Sequence, residues 1–86
     1  MITEIHHHSH FKKMANKLPQ QIKNKFLNLE NIFLNNPFDP QLKTHKLHGK
    51  LKDHYSFSVT QDYRVIFEFI NPQTVIFLKI GTHGIY

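Results

Sequence analysis

Cysteine is absent from these 86 residues, which excludes disulfides and thiolate–zinc sites as sources of stability and leaves the redox compartment unmarked. No apolar run approaches the ~18–20 residues needed to span a bilayer, and no signal-peptide pattern is visible. The expectation is a cytoplasmic protein with no membrane partner. Acidic residues are scarce: six Asp and Glu stand against eleven Lys and Arg, a formal charge of +5. In so small a chain that balance favours a polyanionic partner, either nucleic acid or an acidic protein segment. Internal repeats and low-complexity linkers are also missing, so residues 1–86 read as one domain. A chain of this length buries somewhat over ~60% of its extended surface, enough for a modest core.

The apolar pattern is that of α+β. Ile2 and Ile5 suggest a short first strand over residues 1–5. His6-His7-His8-Ser9-His10 reads as a metal-binding tract, as a residual of an affinity tag, or as a native polar helix start with Ser9 as N-cap, and without six consecutive histidines it looks more native than engineered. No carboxylate or thiolate partner is evident nearby, and no metal site is assigned. Phe11, Met14 and Leu18 share one face of a first helix, which Pro19 closes. Ile22, Phe26, Leu29 and Phe33 form the stripe of a longer second helix, stopped by Asn35-Asn36-Pro37. Beyond Pro40 the period becomes two: Tyr55, Phe57 and Val59 alternate with Ser56, Ser58 and Thr60. Residues 64–70 and 74–80 give two further strands around the Asn71-Pro72-Gln73 turn, the last of them apolar enough to be central. Short connections make these three an antiparallel meander, with both helices laid on one face: β-α-α-β-β-β.

The chemistry-bearing residues lie in the second half. Arg64 is the only arginine, and His45 and His83 bracket it at roughly equal distance in sequence. Cleaving RNA without a metal requires a base to take the 2′-hydroxyl proton, an acid to protonate the leaving 5′-oxygen, and a cation over the phosphorane oxygens. Histidine serves either proton role, its unperturbed pKa lying near ~6.5. Arginine serves the third because its fork meets phosphate oxygens bidentately and never deprotonates. The plainer reading of Arg64 is a surface ion pair with Asp62 or Glu68. His45 and His48 sit in a loop ahead of the meander among Lys43, Lys46, Lys50 and Lys52, a solvated basic loop taken singly and a phosphate-tracking surface taken together. Tyr63 and Tyr86 are placed either to stack on bases or to finish the core edge.

The blocks Lys43–Gly49, Tyr55-Ser56-Phe57, Asp62-Tyr63-Arg64-Val65-Ile66-Phe67 and Ile80-Gly81-Thr82-His83 resemble the RelE/ParE toxin superfamily, and within it the RelE and YafQ-like mRNA interferases. The resemblance implies a compact sheet with two N-terminal helices and a toxin of a type II toxin–antitoxin module. It implies a metal- and cofactor-independent endoribonuclease that cuts mRNA on the ribosome and is neutralised by a cognate antitoxin. Operator DNA would be met only through that antitoxin. Carried over by position, His45 is the general base, Arg64 the transition-state cation and His83 the general acid. Asp62 would orient Arg64 or a histidine, Tyr63 would stack on a base, and Lys79 would lie near the phosphate. Lys43, Lys46, His48, Lys50, Lys52 and Tyr86 complete the implied RNA-binding set. This chain departs from its relatives at Ser56 and Ser58, where many carry a basic or imidazole side chain, and at Tyr86, which follows His83 one residue early. The rival reading is a non-catalytic, ParE-like toxin acting on a protein target such as DNA gyrase, in which His45, Arg64 and His83 would have no assigned work.

Overall fold

The computed structural model describes residues 1–51 and 53–85, apart from the side chains of Leu51 and His83. Five strands form one sheet: β1 (Glu4–His7), β2 (His45–Lys46), β3 (Tyr55–Ser58), β4 (Arg64–Asn71) and β5 (Thr74–Gly81), in the order β1-β5-β4-β3-β2. The β3-β4-β5 meander is antiparallel as its alternation and short turns require, while β1 adds in parallel to the outside of β5. The central strand is therefore β4, with β5 interior beside it. β1 begins three residues later than the expected segment and ends within the histidine tract, because Ile5 and His7 alternate toward the helices.

Two helices, α1 (Ser9–Asn16) and α2 (Gln20–Asn35), cover one face of the sheet. The N-cap of α1 is His8 rather than Ser9: its Nδ1 accepts from the His10 backbone N–H at 3.0 Å. An imidazole nitrogen here does the capping work expected of a hydroxyl. In α2 the expected stripe is the buried one, with Phe26, Leu29 and Phe33 inside and Ile22 packed at its margin. Phe33 is the hub. Its ring lies 5.3 Å from Phe57, 5.0 Å from Phe67 and 5.3 Å from Phe77.

A bulge in β5 sorts the two faces of the sheet. Phe77 and Ile80 are three residues apart and would face opposite ways on a regular strand, yet both are buried in the helix-side core. The register steps from Ile66 opposite Lys79 to Phe67 opposite Phe77, leaving Leu78 as the extra residue. The bulge thus turns Phe77 and Ile80 inward together and sends Lys79 to the uncovered face. Strand pairing places His45, Ser56, Ile66 and Lys79 in one row across that face, with Ser58 and Arg64 in the next.

Candidate functional site

A cleft of about 460 Å³ opens where α2 meets the end of the sheet formed by β3 and β4. Lys25 and Leu29 come from α2, and Gln41 and Lys43 from a 3-10 turn (Pro40–Leu42) and the residue closing it. His45 comes from β2, Ser58 to Gln61 from the end of β3 and its turn, and Arg64 from the start of β4. Among the described residues the three fixed charges in this lining are all positive. None of the six acidic residues of the chain contributes to it.

The local chain geometry aims two of these groups. Lys43 has a left-handed backbone, φ 53° and ψ 39°, the one non-glycine residue with positive φ among those described. A side chain costs ~1–2 kcal/mol in that region. Its carbonyl then meets His45 Nδ1 at 3.2 Å. A carbonyl only accepts, so in this contact Nδ1 carries the proton and the Nε2 lone pair of a neutral ring is left free. That is the tautomer a general base requires. The sequence pattern predicts a loop at His45, but the residue pairs with Ser56 in the short edge strand β2, which gives its ring a fixed platform.

Arg64 is held at the opposite side. Its Nη1 donates to Ser58 Oγ at 3.2 Å across the β3–β4 pair. Its Nε–H is buried and has no partner among the described residues. Leaving such a donor unmatched costs ~1–3 kcal/mol. With Nη1 engaged by serine, Nε and Nη2 form the free edge of the fork, the edge suited to two oxygens of one phosphate. Arg64 is not in the surface ion pair that its sequence neighbours suggest. Asp62 is exposed in the turn and makes no ion pair among the described residues, and Glu68 lies 3.6 Å from His54 Nε2 instead.

The remaining expected residues are spread around this centre. Lys79 shares the uncovered face with Arg64 but lies outside the cleft, its Nζ donating to the Ile85 carbonyl at 3.4 Å. The backbone of His83 opens a terminal 3-10 turn (His83–Ile85) directly after β5, whose Gly81 pairs with Arg64. The His83 side chain, Lys52 and Tyr86 lie outside the described residues. Tyr63 points away from the cleft, packing at the core margin in a separate hollow with Met14, Lys17 and Ile80. Lys46 borders a third hollow with Asp53, Tyr55 and Glu68. His48 and Lys50 are exposed and apart from the cleft.

Lys25, Gln41, Ser58 and Gln61 also line the cleft, although no motif or spacing in the sequence marks them. Lys25 stands on the polar side of a helix whose periodicity shows only in its apolar stripe. Carboxylates do lie near the histidine tract, against expectation: His6 Nε2 lies 2.9 Å from Glu4 and His7 Nε2 2.9 Å from Glu30. Among the described residues no group of three or more His, Asp or Glu side chains is arranged to hold a metal ion.

Comparison with known proteins places this geometry in context. No curated protein matches the chain. Among solved structures, YafQ from E. coli strain BL21(DE3) is similar with a TM-score of 0.78 and 24% identity, over 93% of this chain and 92% of that one. RelE in the archaeal RelE–RelB complex from Pyrococcus horikoshii OT3 is similar with a TM-score of 0.77 and 25% identity over 100% of both chains. The YoeB/ParE toxin from Agrobacterium tumefaciens shares the fold at a TM-score of 0.80 with 14% identity, covering 94% of this chain and 99% of its own. The profile of the HigB-like toxins, RelE-like toxins of type II toxin–antitoxin systems, matches residues 5–83. Nearly the whole chain lies within that match, and it belongs to the HigB-like family of RelE-like toxins.

Proposed function

We propose that this toxin is a ribosome-dependent endoribonuclease that cleaves mRNA by attack of a ribose 2′-hydroxyl on the adjacent phosphorus. His45 Nε2 takes the hydroxyl proton. The 2′-oxygen bonds to phosphorus, and the free edge of Arg64 holds the phosphorane oxygens as their charge grows. The P–O5′ bond then breaks, and His83 gives its proton to the departing 5′-oxygen. The products are a 2′,3′-cyclic phosphate and a 5′-hydroxyl, with protons and bonds in balance and no metal required. Lys79 adds positive potential from the same face of the sheet, outside the cleft.

One observation carries this reading: His45 and Arg64 line a single cleft whose other charges are lysines, with the His45 ring anchored through Nδ1. An antitoxin partner is part of the proposal, drawn from the complexes in which similar toxins occur, DinJ–YafQ and RelE–RelB. Tyr63 and Asp62 have no catalytic part in it.

Primer extension on a translated mRNA after induction tests the assignment. New ends at codon-phased positions are expected with the unaltered protein. With Arg64→Ala, His45→Ala or His83→Ala they should fall by ~10²-fold or more, the usual size of an acid–base contribution. Growth arrest with intact mRNA would transfer the activity to a protein target, and DNA supercoiling would then be the quantity to assay.

A further inference from the structure

The α2 wall of the cleft has no part in the chemistry above. We propose that Lys25, with Lys43, forms a subsite for the backbone phosphate next to the scissile one, so that the cleft grips single-stranded RNA at two consecutive phosphates. The inference rests on the ribonuclease reading of the Arg64–His45 cleft and assigns a binding residue to a helix otherwise devoted to the core.

Three observations support it. First, Lys25 lines the cleft and makes no ion pair or hydrogen bond among the described residues. Most lysines of α1 and α2 lie outside the cleft, so its lining selects this one. Second, Lys25 and Arg64 come from different layers, helix and sheet, and a strand lying in the cleft passes between them. At about 460 Å³ the cleft is within the ~300–1,000 Å³ range of ligand sites, larger than one phosphate requires. Third, Lys43 occupies a left-handed backbone at the rim, a conformation that glycine or asparagine would adopt at lower cost. A long cation placed there despite that cost fits a role for its side chain as well as its carbonyl. Among the described residues no carboxylate lines the cleft, so no negative charge there opposes a second phosphate.

Counterion release gives the test its readout. A protein contact to single-stranded nucleic acid contributes ~0.7 to the slope of log K against log salt for each phosphate neutralised. The probe is a single-stranded RNA bearing 2′-O-methyl groups throughout, which binds but lacks the attacking hydroxyl, followed by fluorescence anisotropy across a KCl series. Lys25→Gln should weaken binding several-fold at low salt and lower the slope by ~0.7, while Lys12→Gln, on exposed α1 surface, should leave the slope unchanged. If Lys25→Gln behaves like Lys12→Gln while Arg64→Gln lowers affinity and slope, the second subsite is wrong and the ribonuclease reading stands. If Arg64→Gln has no effect on a probe that the unaltered protein binds, both fall together; if the unaltered protein does not bind free RNA at low salt, the two-phosphate grip is wrong, and ribosome-dependent cleavage is decided by primer extension.

Discussion

Ser58 shows how much one hydroxyl can settle. Its Oγ accepts from Arg64 Nη1 at 3.2 Å, and this is the only hydrogen bond that fixes the guanidinium among the described residues. Ser58→Ala removes the contact while keeping the strand, so the arginine should lose orientation and nothing else. A hydrogen bond to a charged group is worth ~1.5–3 kcal/mol. The expected outcome is a roughly ten- to hundredfold slower single-turnover cleavage on programmed ribosomes, with the melting temperature lowered too little to unfold the protein at the assay temperature and with activity restored in Ser58→Thr. Equal losses of rate and melting temperature would make Ser58 a packing residue instead. At this scale the sequence was partly legible. Residue type singled out Arg64 and His45, because few side chains supply a fixed fork or a proton acceptor near neutrality. It could not single out Ser58, since serine on an alternating strand is ordinary until the cross-strand register is known. Nor could it exclude Asp62, whose closeness in sequence to Arg64 does not become a contact.

Elements placed these residues, and here the short ones mattered most. The long signals were readable: the α2 stripe, the alternation of β3, the Asn-Pro turn before β5. The two-residue strand β2 was not, because two residues carry no period, and it is the element that positions His45. Nor was the bulge at Leu78 readable, since only the burial of both Phe77 and Ile80 reveals it. The turn entering β2 is strained at Lys43. Lys43→Gly relieves the left-handed penalty, less the greater freedom glycine has when unfolded, and should stabilise the fold by about 0.5–1 kcal/mol in urea denaturation. The same change deletes a cation from the cleft, so RNA cleavage should fall as stability rises. Loss of both would mean that the lysine side chain itself holds the turn. Gly81 is constrained differently. A Cβ there would come within 2.6 Å of Ile85 Cγ2 and 3.3 Å of Met14 Cε. Gly81→Ala must therefore push on the terminal turn that begins at His83. Overpacking of this kind costs ~1–3 kcal/mol. The melting temperature should drop, and cleavage should drop further than the melting temperature accounts for, because Gly81 also pairs with Arg64.

For the whole molecule, the question is how 86 residues hold a charged cleft open. A chain of this size has about 4–13 kcal/mol of net stability, little of it to spare. Three like charges around one cleft lower that margin, and no disulfide restores it. The compensation is aromatic. Phe33, Phe57, Phe67 and Phe77 are fully buried and mutually in contact, tying α2 to β3, β4 and β5 at one point. The same three strands and helix carry Ser58, Arg64, Gly81 and Lys25. Core and cleft are thus two sides of one junction, and damage to the first should reach the second before the chain unfolds. Phe33→Ala removes the hub and should cost ~3–5 kcal/mol, which is the whole of the net stability at the lower end of its range. Phe33→Leu keeps most of the volume but loses the edge-to-face contacts, worth ~0.5–1.5 kcal/mol each. Urea denaturation should find this variant folded but less stable, and its cleavage rate, measured where it is fully folded, should fall because α2 no longer seats Lys25 against the sheet. An unchanged rate in folded Phe33→Leu would separate the two sides of the junction and show that the cleft is set by the strands alone.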